Sequence, residues 1–144
     1  MDKFNLETSI NYNIARIAML LKRKVTQIIA DYDLSITPDQ WVILYYLWEH
    51  EKMTIGNLSK VTRKDYANIT RIVDKLVNLG YVRKEKSTED NRITYVEALS
   101  KSHEIKNAVE SCWIASTEIS MRDIGEDEQN MILDLLRRIE QNII

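Results

Sequence analysis

The 144-residue sequence predicts a mainly α-helical fold with a small β-wing: a six-helix winged helix-turn-helix, with dimerisation by the N- and C-terminal helices. Three observations predict it. Only three Gly and one Pro interrupt the chain, a scarcity that favours long helices over a many-turned β fold. Apolar residues recur at steps of three and four through most of its length. Residues 54–98, TIGNLSKVTRKDYANITRIVDKLVNLGYVRKEKSTEDNRITYVEA, read as two helices around a turn, followed by two short strands.

Composition bounds the rest. At 44% hydrophobic and 29% charged, the chain has the balance of an ordinary soluble domain, long enough to bury a core. No apolar run is long enough to cross a bilayer, and the opening MDKFNLETSINYN lacks the apolar centre of a signal peptide, so a cytoplasmic protein is expected. The single cysteine, Cys112, excludes an intramolecular disulfide framework. No internal repeat, low-complexity segment or flexible linker is visible.

In chain order, residues 8–32 form an amphipathic helix, with Ile10, Ile14, Ile17, Leu21, Val25 and Ile28 on one stripe. Asp31 to Ser35 breaks it. Thr37-Pro38-Asp39-Gln40 is a helix start, with Thr37 as N-cap, Pro38 at the first helical position and Gln40 placed for a capping box. That helix runs to about His50; its Trp41 and Tyr45 sit at helical spacing, which favours core over ligand contacts. Thr54 caps a short helix, Ile55 to Val61. The longer helix runs from Asp65 to Leu79 and stops at Gly80. Strands Tyr81–Lys86 and Arg92–Ala98 flank a charged tip, Ser87 to Asn91. A helix from Ser100 to about Arg122 carries Cys112 and Trp113, and a last helix, Glu126 to Asn142, carries Met131, Ile132, Leu135, Leu136 and Ile139. Three segments follow: a dimerisation helix over 1–36, a winged helix-turn-helix over 37–99, and C-terminal dimerisation helices over 100–144. The outer helices offer more apolar surface than one winged unit can cover, which implies a second copy.

The longer helix has two faces. Ile69, Ile72, Val73 and Leu76 pack inward, while Lys64, Ala67, Arg71, Asp74, Lys75 and Asn78 face out, flanked by Asn68 and Thr70. Any solvated helix carries polar residues. This face, however, joins a small residue that admits close approach to side chains matched to adenine (Asn68) and guanine (Arg71) edges. Lys64 and Lys75 can reach phosphates, and the basic Arg63 and Lys86 border the same surface. A wing tip with Arg92 fits a minor groove, and Asp90 is spaced to orient it. Charge agrees: residues 60–92 carry net +4, residues 1–59 carry −1, and residues 93–144 carry −5. A basic block inside a mildly acidic chain is the distribution that duplex DNA selects. The expected DNA-facing set is Thr54, Arg63, Lys64, Ala67, Asn68, Thr70, Arg71, Lys75, Lys86, Asp90 and Arg92.

The motifs TPDQWVILYYL, MTIGNLSKVT, NITRIVDKLVNLGYV and EDNRITYV, in this order, resemble the MarR family of bacterial winged-helix transcriptional regulators. The resemblance covers nearly the whole chain. One departure follows the wing, where the family's Leu-Thr-x-x-Gly turn is replaced by Leu99-Ser100-Lys101-Ser102-His103, which lacks the glycine. The resemblance implies an obligate homodimer on a pseudo-palindromic duplex site, usually a repressor, often answering to a small aromatic or phenolic effector held between the winged unit and the dimerisation helices. Tyr12, Arg16, Trp41, Tyr45 and Trp113 are the side chains expected near such an effector, with Arg16 free to meet a ligand carboxylate or, preferably, a neighbouring acid. Cysteine-based oxidant sensing is disfavoured, because the first helix has no cysteine and Cys112 sits in an apolar stripe.

No enzyme signature is present. His50 and His103 lie far apart, no metal-ligand spacing occurs, and there is neither a Gly-rich phosphate loop nor a nucleophile elbow. No cofactor and no membrane partner are expected. The competing reading is a winged-helix module that binds protein; it would expose apolar or acidic side chains where Arg71, Lys75 and Arg92 stand.

Overall fold

Thr37 opens its helix by satisfying two orphan donors at once. Its hydroxyl accepts from the Gln40 N–H (3.1 Å), and the Gln40 side-chain oxygen accepts from the Thr37 N–H (3.0 Å). The computed structural model describes residues 3–144; the first two residues of the expected 1–36 segment lie outside them. After a 3-10 turn at Leu6–Thr8, the order is α1 (Ile10–Asp31), α2 (Pro38–Glu49), β1 (Met53–Thr54), α3 (Ile55–Thr62), α4 (Tyr66–Asn78), β2 (Val82–Lys86), β3 (Thr94–Ala98), α5 (Ser100–His103), α6 (Lys106–Ser120) and α7 (Glu126–Ile143). The fold is the expected mainly helical winged unit, with bounds shifted by a residue or two.

Two features differ from expectation. A short strand, β1, joins the wing, giving the antiparallel order β1-β3-β2, with Met53 opposite Val96 and Val82 opposite Ala98. Two residues carry no readable alternation, which is why sequence periodicity passes over it. The helix expected from Ser100 to Arg122 is also broken at Glu104–Ile105, making seven helices among the described residues. Ser102 explains the break: fully buried, its hydroxyl donates to the Leu99 carbonyl (2.7 Å) and accepts from the Trp48 indole N–H (3.0 Å). That pins α5 to α2, and the chain must turn before α6 can lie along α1.

The core sits inside the winged unit. Ile43, Leu44, Leu58, Ile69, Val73, Leu76 and Val96 are all 0% exposed. Each such side chain contributes about 1.5–3 kcal/mol of burial, so α4 is held rigidly by one face. Its end is equally fixed. The Tyr81 N–H donates to the Leu76 carbonyl (3.0 Å) and the Gly80 N–H to the Val77 carbonyl (2.9 Å), a Schellman closure that needs the left-handed φ of 80° at Gly80.

The outer helices are different. Only Val25 and Ile29 of α1 are buried, and only Val109, Cys112 and Ser116 of α6. No residue of α7 is buried. Ile10 (68% exposed), Ile17 (51%) and Met131 (64%), expected as packing positions, face outward in the single chain.

Candidate nucleic-acid interface

Asp65 builds the exposed end of α4. Its carboxylate accepts from the Asn68 backbone N–H (2.7 Å), capping the helix, and its second oxygen accepts from the Asn68 amide (3.1 Å). Asn68 in turn accepts from the Arg71 guanidinium. A relay Asp65–Asn68–Arg71 therefore runs along the first two turns of α4, on the face opposite buried Ile69 and Val73. Ala67 is exposed beside it. Thr70 turns its hydroxyl back to the Tyr66 carbonyl (2.9 Å). Lys75 is exposed one turn further on and forms no ion pair among the described residues.

The wing presents Arg92 as the sequence anticipated. Asp90 accepts from it in a two-pronged pair, Nε to Oδ1 and Nη2 to Oδ2, both 3.0 Å, while the guanidinium stays 90% exposed. The Arg92 hydrogen bonds, side chain first and backbone second, hold the Asp90 carboxyl below its usual pKa, and the same pair raises that of Arg92. Arg92 lies in the tip before β3, not in the strand. Lys86 is exposed at the end of β2.

Three further members of the expected set are engaged away from the outward face of α4. Thr54 caps α3 by accepting from the Asn57 N–H (3.0 Å). Arg63, in the turn between α3 and α4, has a left-handed φ of 61° and meets Glu140 of α7 at 3.2 Å. Lys64 meets Asp39 at 3.3 Å. Asp39 also accepts from Lys22 of α1 (3.0 Å), so one carboxylate ties α1, α2 and the start of α4 together. Burial acts to raise the Asp39 pKa, but the Lys22 hydrogen bond and the charges of Lys64 and Lys22 outweigh it and hold it below the ordinary value. Sequence reading took Asp39 only as part of a helix start. Its partners lie 17 and 25 positions away, and no local pattern announces them.

The aromatic residues divide. Trp41 stacks on Trp113 (centroids 4.7 Å apart), and Tyr45 meets Trp41 at a tilt (5.5 Å). The buried indole nitrogens of Trp41 and Trp113 have no hydrogen-bond partner among the described residues. Trp113 borders a cleft of about 300 Å³ between α1, α2 and α6, which Lys22, Asp39 and Ser116 also line. Of the five side chains expected near an effector, only Trp113 lines this cleft; Tyr12, Arg16, Trp41 and Tyr45 do not. Arg16 lies over the Tyr12 ring at 5.4 Å and donates to Asn13 (3.0 Å), and among the described residues it forms no ion pair with the expected acidic neighbour. Cys112 is fully buried, and burial raises its thiol pKa, as an inert core thiol requires.

Comparison with known proteins agrees with this geometry. The family model described as MarR family matches residues 36–94. The HTH-type transcriptional repressor NicR from Pseudomonas putida is 30% identical over 107 residues, covering 74% of this chain and 68% of that protein. A crystal structure of mutant MarR from E. coli complexed with operator DNA has a similar fold (TM-score 0.81, 22% identity, 96% of this chain and 99% of that one). So does the PcaV transcriptional regulator from Streptomyces coelicolor in complex with its natural ligand (TM-score 0.85, 16% identity, 100% of both chains). With most of its winged unit inside the family match and a regulator aligned over most of its length, this chain belongs to the MarR family of transcriptional regulators.

Proposed function

We propose that the chain binds duplex DNA sequence-specifically as a homodimer on a pseudo-palindromic operator, and represses transcription until a small aromatic or phenolic effector releases it. The observation that carries this reading is the two-sided α4: a fully buried face fixes the helix, and the other presents Ala67, Asn68, Arg71 and Lys75 to solvent. Asn68 and Arg71 read base edges, Lys75 meets phosphate, and Arg92, steered by Asp90, enters the minor groove.

Dimerisation rests on α7. An 18-residue helix with no buried residue in its own chain gains little tertiary support, and an amphipathic helix in water depends on such support. The exposed apolar stripes of α1 and α7 suit a second copy, with 1–36 and 100–144 supplying the dimer helices and 37–99 the DNA-binding unit. The effector reading rests on Trp113, whose indole N–H has no partner among the described residues and which borders a cleft that Lys22 also lines, a setting for an aromatic ring with an acceptor oxygen. The solved relatives bound to operator DNA and to a natural ligand support both parts.

Fluorescence anisotropy tests it, with the protein titrated onto duplexes tiled across the DNA upstream of its own gene and Arg92→Ala in parallel. Tight, salt-sensitive binding to one tile, weakened by the substitution, is expected. Equal, weak binding to every tile by both proteins would refute a wing-assisted operator reader.

A further inference from the structure

A second recess lies away from the aromatic cleft. It is a groove of about 530 Å³ between the C-terminal end of α1, the loop to α2, and the last turns of α4. That size falls in the roughly 300–1,000 Å³ range of small-molecule sites. Its floor is aliphatic, with Ile29, Leu34 and Leu79, and no aromatic side chain lines it. Three donors converge at its rim. Gln40 is only 7% exposed; its side-chain oxygen is consumed by the Thr37 N–H, which leaves its amide nitrogen unspent on the groove side. Lys75 forms no ion pair, and the Asn78 side chain forms no hydrogen bond, among the described residues. A carboxamide nitrogen with no hydrogen-bond partner among the described residues, lining the same groove as an unpaired ammonium, offers an anion two donors.

We propose that this groove is a second ligand site, distinct from the aromatic cleft, that takes an aliphatic carboxylate of medium chain length. The hydrocarbon lies over Ile29, Leu34 and Leu79, and the carboxylate accepts from Gln40, Lys75 and Asn78. Lys75 stands on the outward face of α4, so the acid and a DNA phosphate compete for one cation. Binding of either must weaken the other by the same factor. The ligand site stands on the groove alone; only this competition rests on the DNA-binding reading.

The test is isothermal titration calorimetry of the full-length protein with decanoate, with decanol as the uncharged control. Ala30→Trp fills the groove from an exposed position and should abolish decanoate binding. Lys75→Gln should weaken it about tenfold, the loss expected for one charge-assisted hydrogen bond. Decanoate should raise the apparent Kd for DNA of the wild type but not of Ala30→Trp, whose own DNA affinity should be unchanged. No saturable heat at millimolar decanoate overturns the proposal. So does binding unaltered by Ala30→Trp, which would place the acid on the apolar faces of α1 and α7. Decanoate binding that obeys both variants in a protein with no operator affinity would keep the site and discard the DNA reading.

Discussion

Removing Arg71 and Asn68 singly and together measures how the outward face of α4 works. Arg71 is tethered: its guanidinium donates to Asn68, and the Asn68 amide donates to Asp65, which also caps the helix. A bidentate contact from Arg to guanine discriminates by about 1–3 kcal/mol, so Arg71→Ala should weaken operator binding about 5- to 150-fold and relax preference at one base pair. The tether adds a second effect. An untethered Arg gives up as much as about 2 kcal/mol of rotamer freedom on binding, and the Asn68 contact removes part of that in advance. Asn68→Ala should therefore lose its own adenine contact and also loosen Arg71. The double variant should lose less than the two singles combined, with a coupling of about 0.5–3 kcal/mol. Anisotropy competition on the operator and on a scrambled duplex of equal length, at one salt concentration, gives all four corners of the cycle. Equal losses on both duplexes would reduce Arg71 to a phosphate contact, and strict additivity would dismiss the tether.

Other perturbations probe the parts around that face. Lys75→Ala should weaken operator and random duplexes alike and reduce the slope of log K against log salt by about 0.9, the value for one phosphate contact; an unchanged slope removes Lys75 from the interface. Gly80→Ala should cost about 1–2 kcal/mol in urea unfolding, because a new Cβ meets only the Lys101 side chain at 3.5 Å and the penalty comes from the positive φ; an unmoved midpoint would mean the Schellman turn relaxes. Asp39→Asn should cost about 1 kcal/mol or less at pH 7, since both ion pairs are partly exposed. A carboxyl with a lowered folded pKa contributes its full stability above its unfolded value near 3.9 and loses it as pH falls through the folded value. The gap between wild type and Asp39→Asn should thus close in acid, and a gap independent of pH would disprove the pairing.

The winged unit was legible because its rules are local. The capping box at Thr37, the glycine stop at Gly80 and the steps of four and three from Ile69 to Val73 to Leu76 are each written within one or two helical turns, and each appears in the structure. The Asp90–Arg92 pair was legible for the same reason. Three features were not. β1 is too short for a period, and its pairing with β3 spans more than forty residues. The α5–α6 break depends on Ser102 meeting Trp48, 54 positions away. Among the expected site residues, the Thr54 cap was legible, but the ion pairs of Arg63 with Glu140 and of Lys64 with Asp39 are tertiary facts. The ligand set split likewise: Trp41, Tyr45 and Trp113 converge through packing that no spacing encodes, while Tyr12 and Arg16 satisfy each other on the surface of α1.

These engagements bear on how a signal can travel. The core of α4 is close-packed, so its outward side chains move only as one body with α2 and α3. The seam between this body and the outer helices carries buried packing of Val25, Ile29, Val109 and Cys112 and the Trp41–Trp113 stack, so what can change there at low cost is its surface charge. Two contacts cross it as surface ion pairs: Lys22–Asp39–Lys64 from α1, and Arg63–Glu140 from α7. Pairs of this exposure are worth about 0–1 kcal/mol each, so a ligand of modest differential affinity is enough to exchange them. Asp39 lies on both sides of the seam, lining the aromatic cleft with Lys22 and the α4 face with Lys64, Asn68 and Arg71. A group that takes Lys22 from Asp39 alters the charge set beside the recognition residues without disturbing the core. The same weakness makes the coupling sensitive to ionic strength, whereas the buried face of α4 is not. Raising salt should therefore erode the response to an effector at a stability that scarcely changes.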